Sequence, residues 1–132
     1  MGLTMCIEIE QGASMEGIAC SLKALDVQLD AEGASVSGFF QRSHCQFGFE
    51  YDSSPLHLLA ESVQVDWRVG LRGSFHYRAD NLHSSWADIV AFIQRYAASQ
   101  PFEFVVSFQF ESAYAMRDTA GLRIVGTVGE TG

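Results

Sequence analysis

Phe102, Phe104, Val106, Phe108 and Phe110 alternate with Glu103, Val105, Ser107, Gln109 and Glu111. A period of two over ten residues resolves into an apolar and a wetter face only in a strand, so this segment commits the chain to a sheet with one packed side. The same pattern recurs elsewhere. Leu3, Met5, Ile7 and Ile9 alternate with Thr4, Cys6, Glu8 and Glu10, and Cys45, Phe47, Phe49 and Tyr51 form a further alternating run. Val27 and Leu29, the turn-like Ala31-Glu32-Gly33, and the segment 36–40 predict a hairpin. From Val63 one parity carries Val65, Trp67, Val69, Leu71, Phe75 and Tyr77, and the glycines at 70 and 73 predict a tight hairpin within that run, because strands of about 15 residues are rare. Asp52-Ser53-Ser54-Pro55 breaks the pattern, and 56–61 reads as a connection or one helical turn. Asp118-Thr119-Ala120-Gly121 turns into a last strand over 122–128.

Two segments change period. Ser14 caps a run in which Met15, Ile18, Leu22 and Leu25 recur at helical spacing, and Gly17 weakens its first turn. Trp86, Ile89, Val90, Ile93, Tyr96 and Ala97 make a longer apolar stripe, with Ser84 or Ser85 as cap, Asp88 in the first turn and Pro101 beyond the end. The fold predicted is α+β: a mostly antiparallel sheet of about six to eight strands with one long helix (about 85–98) and a shorter N-terminal helix (about 15–25) packed on it. At 132 residues, 48% hydrophobic and 18% charged, one globular domain over 1–132 is expected.

Charge is unevenly placed. Residues 1–66 hold ten acids (Glu8, Glu10, Glu16, Asp26, Asp30, Glu32, Glu50, Asp52, Glu61, Asp66) against Lys23 and Arg42, which is the whole formal net of −8; 67–132 hold six acids and six arginines. A field of that sign repels phosphate backbones and anionic lipid and attracts a basic partner, so nucleic acid and membrane are excluded as partners. The first ten residues lack the charge and apolar run of a secretory signal, and Cys6, Cys20 and Cys45 are odd in number without a CxxC pair. Reduced thiols and a cytoplasmic location are expected.

Chemistry-bearing motifs are sparse. His44 and Cys45 are neighbours, but adjacent strand residues point to opposite faces and do not form a nucleophile and base. His76, Asp80, His83 and Asp88 lack the compact spacing of metal ligands. No GxSxG elbow surrounds Ser53, Ser84 or Ser85, and Gly70-Leu71-Arg72-Gly73 has neither the spacing nor the lysine of a phosphate loop. Glu8 with Glu10, and Glu103 with Glu111, are carboxylate pairs that read as solvated strand faces or as an acid and base sharing a cleft. No catalytic residue, metal or cofactor is assigned. Arg68, Arg72, His76 and Arg78 share one parity, a basic stripe expected either to ion-pair with Glu103 and Glu111 across the sheet or, with Trp67 or Tyr77, to anchor a contact.

Size, the absence of a leader, the acidic N-terminal half and an aromatic-rich α+β pattern without catalytic motifs make the chain resemble the small acidic immunity proteins that bacteria keep in the cytosol to neutralise polymorphic or contact-dependent toxins. The resemblance implies a non-enzymatic protein that binds a basic toxin domain. Charge points to Glu8, Glu10, Asp26, Asp30, Glu32, Glu50 and Asp52 as the partner-binding set, with Trp67, Arg68, Arg72, His76 and Arg78 as a secondary candidate surface. The alternatives are a secretion-type chaperone for an effector, which the chain resembles in size and acidity, and a small-molecule-binding or enzymatic α+β domain.

Overall fold

A computed structural model describes residues 2–32, 34–56, 65–109 and 112–124, leaving aside the side chains of 52–56. Among the described residues the order is β1 (Gly2–Glu10), α1 (Met15–Lys23), β2 (Val27–Glu32), β3 (Ser35–Phe40), β4 (Gln46–Leu56), β5 (Val69–Arg78), a 3₁₀ turn (Ala79–Asn81), α2 (Leu82–Ser99), β6 (Phe104–Phe108), β7 (Ser112–Asp118) and β8 (Gly121–Ile124). All eight strands join one sheet in the order β2-β3-β4-β5-β1-β6-β7-β8, and every neighbouring pair is antiparallel. The predicted α+β architecture, with its long and short helices, is the one observed.

The first strand sits in the middle of the sheet. Its apolar parity, Met5, Ile7 and Ile9, faces the helices and is fully buried, flanked in register by Phe75 and Leu71 of β5 and by Val106 and Phe104 of β6. Hairpins join β2 to β5 and β6 to β8, and only two connections cross over, β1 to β2 through α1 and β5 to β6 through α2. The strands of each crossing pair run parallel to one another. β1 and β5 run in opposite directions and their crossovers head for opposite edges, so the single handedness such crossovers adopt brings both helices to the same face.

Local chemistry starts each helix. Ser14 is the N-cap of α1, its Oγ accepting the Gly17 N–H at 3.2 Å, and the Met15 N–H donates to the Tyr51 hydroxyl at 2.6 Å. The expected serine cap of α2 is not used. The 3₁₀ turn leads directly into the helix, which begins at Leu82 with Asn81 at the cap position, so Ser85 and Asp88 lie inside it and Ser85 is buried. Ile18 and Leu22 of α1 pack with Ile89, Phe92, Ile93 and Tyr96 of α2 in one apolar cluster. Phe40, Phe47, Phe49, Phe75 and Phe92 meet with ring centroids 5.2 to 6.4 Å apart. Each such ring taken from water contributes about 1.5–3 kcal/mol, which makes this cluster the main anchor of the helices.

The hairpin expected at the glycines of 70–73 is absent: Val69–Arg78 is one strand. The glycine at 73 is there for close approach. A Cβ on it would stand 2.3 Å from two carbons of the Phe49 ring, which lies over the backbone. The pattern break over 52–55 interrupts the pairing of β4 with β5 without ending β4. Residues 57–61, 63, 64, 110, 111 and 125–128, on which parts of other expected elements fall, lie outside the described residues.

Candidate functional site

Residues opposite one another in adjacent strands share a face, so the register shows what lies on the side away from the helices. One row across the sheet reads Glu32, Ser35, Glu50, Arg72, Glu8, Val105 and Met116. The next reads Asp30, Ser37, Gly48, Ser74, Cys6 and Ser107. At the β1 and β6 positions this face is closed: Cys6, Glu8, Val105 and Ser107 are all buried. Over β2, β3 and β4 it is open, with Asp30, Glu32, Ser35, Ser37 and Glu50 exposed.

Glu8 and Arg72 anchor the boundary between these two regions. The Arg72 Nε and Nη2 donate to the same Glu8 carboxylate oxygen at 3.3 and 3.1 Å, with the Arg72 side chain 16% exposed and that of Glu8 0%. A buried carboxylate persists in charged form only beside such a partner. Glu8 therefore does not belong to an accessible acidic surface, and Arg72 is not a free cation. The arginine stripe was expected to face Glu103 and Glu111; β1 lies between β5 and β6, so the carboxylate opposite Arg72 among the described residues comes from β1, and Glu111 lies outside the described residues.

The other candidate acids separate into groups. Asp30 and Glu32 lie two residues apart on the open face of β2, and Glu50 stands two strand spacings from Glu32, about 10 Å. Among the described residues none of these three carboxylates makes an ion pair or hydrogen bond. Glu10 lies at the far end of β1 and accepts the Glu103 N–H at 3.0 Å. Asp26 is exposed in the turn between α1 and β2, and its carbonyl accepts the Gln41 N–H at 3.0 Å. Asp52 belongs to β4, and its side chain is outside the described set.

The secondary set is likewise dispersed. Trp67 and Arg68 precede β5; the Arg68 carbonyl accepts from Gln11, and Arg78 pairs loosely with Asp80 at 3.6 Å. His76 lies on the same face as Arg72, its Nδ1 3.0 Å from Thr4 Oγ1 and its Nε2 3.2 Å from Ser74 Oγ. Trp67 lines a separate cavity of about 490 Å³ with Asp66, Glu103, Met116, Asp118 and Arg123. Desolvation, then Glu10, Asp66 and Asp118 in turn, raise the Glu103 carboxyl above its usual range, opposed by a hydrogen bond from Trp67.

Between the two rows lies a trough of about 550 Å³, walled by Glu50 and Arg72 and floored by Ser37, Gly48 and Ser74, with Cys6 at its inner end. The signal for it was present in the sequence as a glycine inside an alternating strand, but nothing local separates such a glycine from one that accommodates a core ring. Among the described residues the His44–Cys45 neighbours form no nucleophile and base. Burial, with Asp88 beside it, pushes the Cys45 thiol up to about 12. His44 turns away with φ +61° and stacks near Phe39. Among the described residues no cluster of His, Cys, Asp and Glu has the geometry to hold a metal ion, and no helix is long and apolar enough to cross a membrane. No family model, curated protein or solved structure matches the chain.

Proposed function

We propose that this chain is a stoichiometric binding protein of the immunity type, which neutralises a basic toxin domain by receiving it on the open face of β2, β3 and β4. One observation carries the reading: Asp30, Glu32 and Glu50 stand exposed on a single face, without an ion pair among the described residues, while Arg72, opposite Glu50 on β5, is engaged by Glu8. Carboxylates left in water concentrate a negative field there. Such a field steers a basic surface into register and accelerates encounter more than it deepens affinity. The helices lie on the opposite face, which leaves this acidic wing open to a partner.

The test is association with the candidate toxin domain encoded beside this chain, measured by stopped-flow fluorescence over a range of salt. Reversing all three charges (Asp30→Lys, Glu32→Lys, Glu50→Lys) is expected to slow association about 10- to 100-fold at low salt and to flatten its salt dependence. Reversal of Glu16, exposed on α1 away from this face, serves as the control and leaves the rate unchanged. A triple variant that associates at the original rate with the original salt slope refutes the proposal.

A further inference from the structure

We infer that the trough over Gly48 is the seat of one arginine side chain of the partner, an inference that rests on the open wing being the docking face. Gly48 is the observation that goes beyond charge. It lies inside β4, an interior strand, yet no described atom comes within 4 Å of where its Cβ would stand. Among the other strand glycines, Gly2 and Gly121 also meet nothing but stand at the first residue of their strands, whereas those inside strands are held by their own surroundings: Gly73 by the Phe49 ring, Gly38 by the Gln28 carbonyl and Gly70 by the Gln11 backbone. A glycine in mid-strand weakens the sheet, and it is explained where something outside the strand approaches the backbone closely. Within this chain nothing described does so at Gly48. Its cross-strand neighbours, Ser37 and Ser74, are small as well, so three adjacent strands leave the floor low over about 10 Å.

The lining specifies the occupant. The floor is backbone and small side chains, suited to an aliphatic stem laid across it. The rim carries the carboxylate of Glu50, unpaired among the described residues, and the hydroxyls of Ser35, Ser37 and Ser74. With Arg72 bonded to Glu8, the charge left at the trough is negative, and Asp30 and Glu32 reinforce it from β2. A flat guanidinium with five donors on a three-carbon stem matches a shallow trough with several acceptors at its edge; a lysine ammonium, compact and strongly hydrated, does not. Arginine is also among the side chains that most often anchor protein interfaces.

The test uses the whole chain and three small probes: acetyl-arginine-N-methylamide, its neutral citrulline isostere and the lysine equivalent. Amide chemical shifts of ¹⁵N-labelled protein are followed during titration. The arginine probe is expected to shift Ser37, Gly48, Glu50 and Ser74 together and to saturate with a Kd on the order of 1 mM, with at least about 10-fold weaker binding of citrulline. Gly48→Leu, which fills the trough, is expected to abolish the response without lowering the melting temperature. Ser37→Leu fills it from an exposed position on the next strand and carries the same expectation if Gly48→Leu does not fold. An equal response to citrulline or lysine, a response that persists in the filled variants, or no response at these amides overturns the inference. These titrations need no toxin, so their outcome is separable from that of the docking proposal: a trough that binds arginine beside a charge-insensitive toxin interaction would refute only the latter.

Discussion

Replacing Gly48 and Gly73 by alanine, one at a time, separates a glycine needed by the fold from one that the fold does not need. The two are close neighbours in the ladder, since Phe49 faces Gly73 and Gly48 faces Ser74, so strand context is nearly constant. At Gly73 the new methyl would stand 2.3 Å from the Phe49 ring and 2.9 Å from the Ile7 side chain. That ring cannot withdraw freely, because Phe47, Phe75 and Phe92 surround it with centroids 5.5 to 6.2 Å away. Overpacking of this kind costs about 1–3 kcal/mol. At Gly48 the methyl meets no described atom within 4 Å, and the unfolded chain loses freedom, so the substitution is expected to stabilise by about 0.5–1 kcal/mol. At roughly 3–5 °C per kcal/mol for a chain of this length, Gly48→Ala should melt about 2–5 °C higher than the parent and Gly73→Ala about 3–15 °C lower. Urea unfolding followed by circular dichroism gives the same comparison as shifts in midpoint at constant slope. A Gly48→Ala protein destabilised by about 1 kcal/mol or more would mean that the site is packed after all, and the case for an external occupant would fall with it.

Other outcomes follow from the charges and thiols. Arg72→Ala leaves the Glu8 carboxylate buried beside a lost partner and is expected to cost about 3–5 kcal/mol in urea melts, with a smaller loss for Arg72→Ala combined with Glu8→Gln; equal losses would deny the pair its role. Because the Glu103 carboxyl is raised in the folded state, its contribution is present below the unfolded carboxylate range and lost as pH rises through the folded value. Glu103→Gln should therefore gain melting temperature relative to the parent at pH 7 and lose that advantage toward pH 4, and a pH-independent difference would contradict this. Cys20 is exposed whereas Cys6 and Cys45 are buried, with the Cys45 thiol pushed up to about 12, so a thiol reagent at pH 8 should label one cysteine in the native protein and three in urea. Rapid native labelling of Cys45 would contradict the burial.

Period and punctuation made much of this fold legible. Alternation located β1, β4 and β6, the apolar pattern of 27–29 and 36–40 placed the β2-β3 hairpin, and the stripe from Trp86 to Ala97 located α2. What local pattern leaves open is who stands beside whom. Ser112–Asp118 has few large apolar residues and is mostly half-buried, so β7 carries too weak an alternation to be assigned. Glu8 alternates as a wet-face residue should, and it does point away from the helices. It is nevertheless buried and bonded to Arg72 of β5, a partner that strand pairing and not sequence proximity supplies. The candidate site was legible in the same partial way. Asp30, Glu32 and Glu50 are brought together, whereas Glu10 and Glu8 are taken elsewhere by pairings more than sixty residues apart in the chain.

The central position of β1 also sets when the protein can exist. β1 is made before both of its ladder partners, Val69–Arg78 and Phe104–Phe108, so it waits unpaired while the intervening chain is synthesised. Contacts of such long range slow folding, and an alternating strand held open is exposed meanwhile to pairing with other chains. The acidic residues crowded into the first half thus act on a nascent chain too, where mutual repulsion keeps waiting copies apart until the last strands arrive.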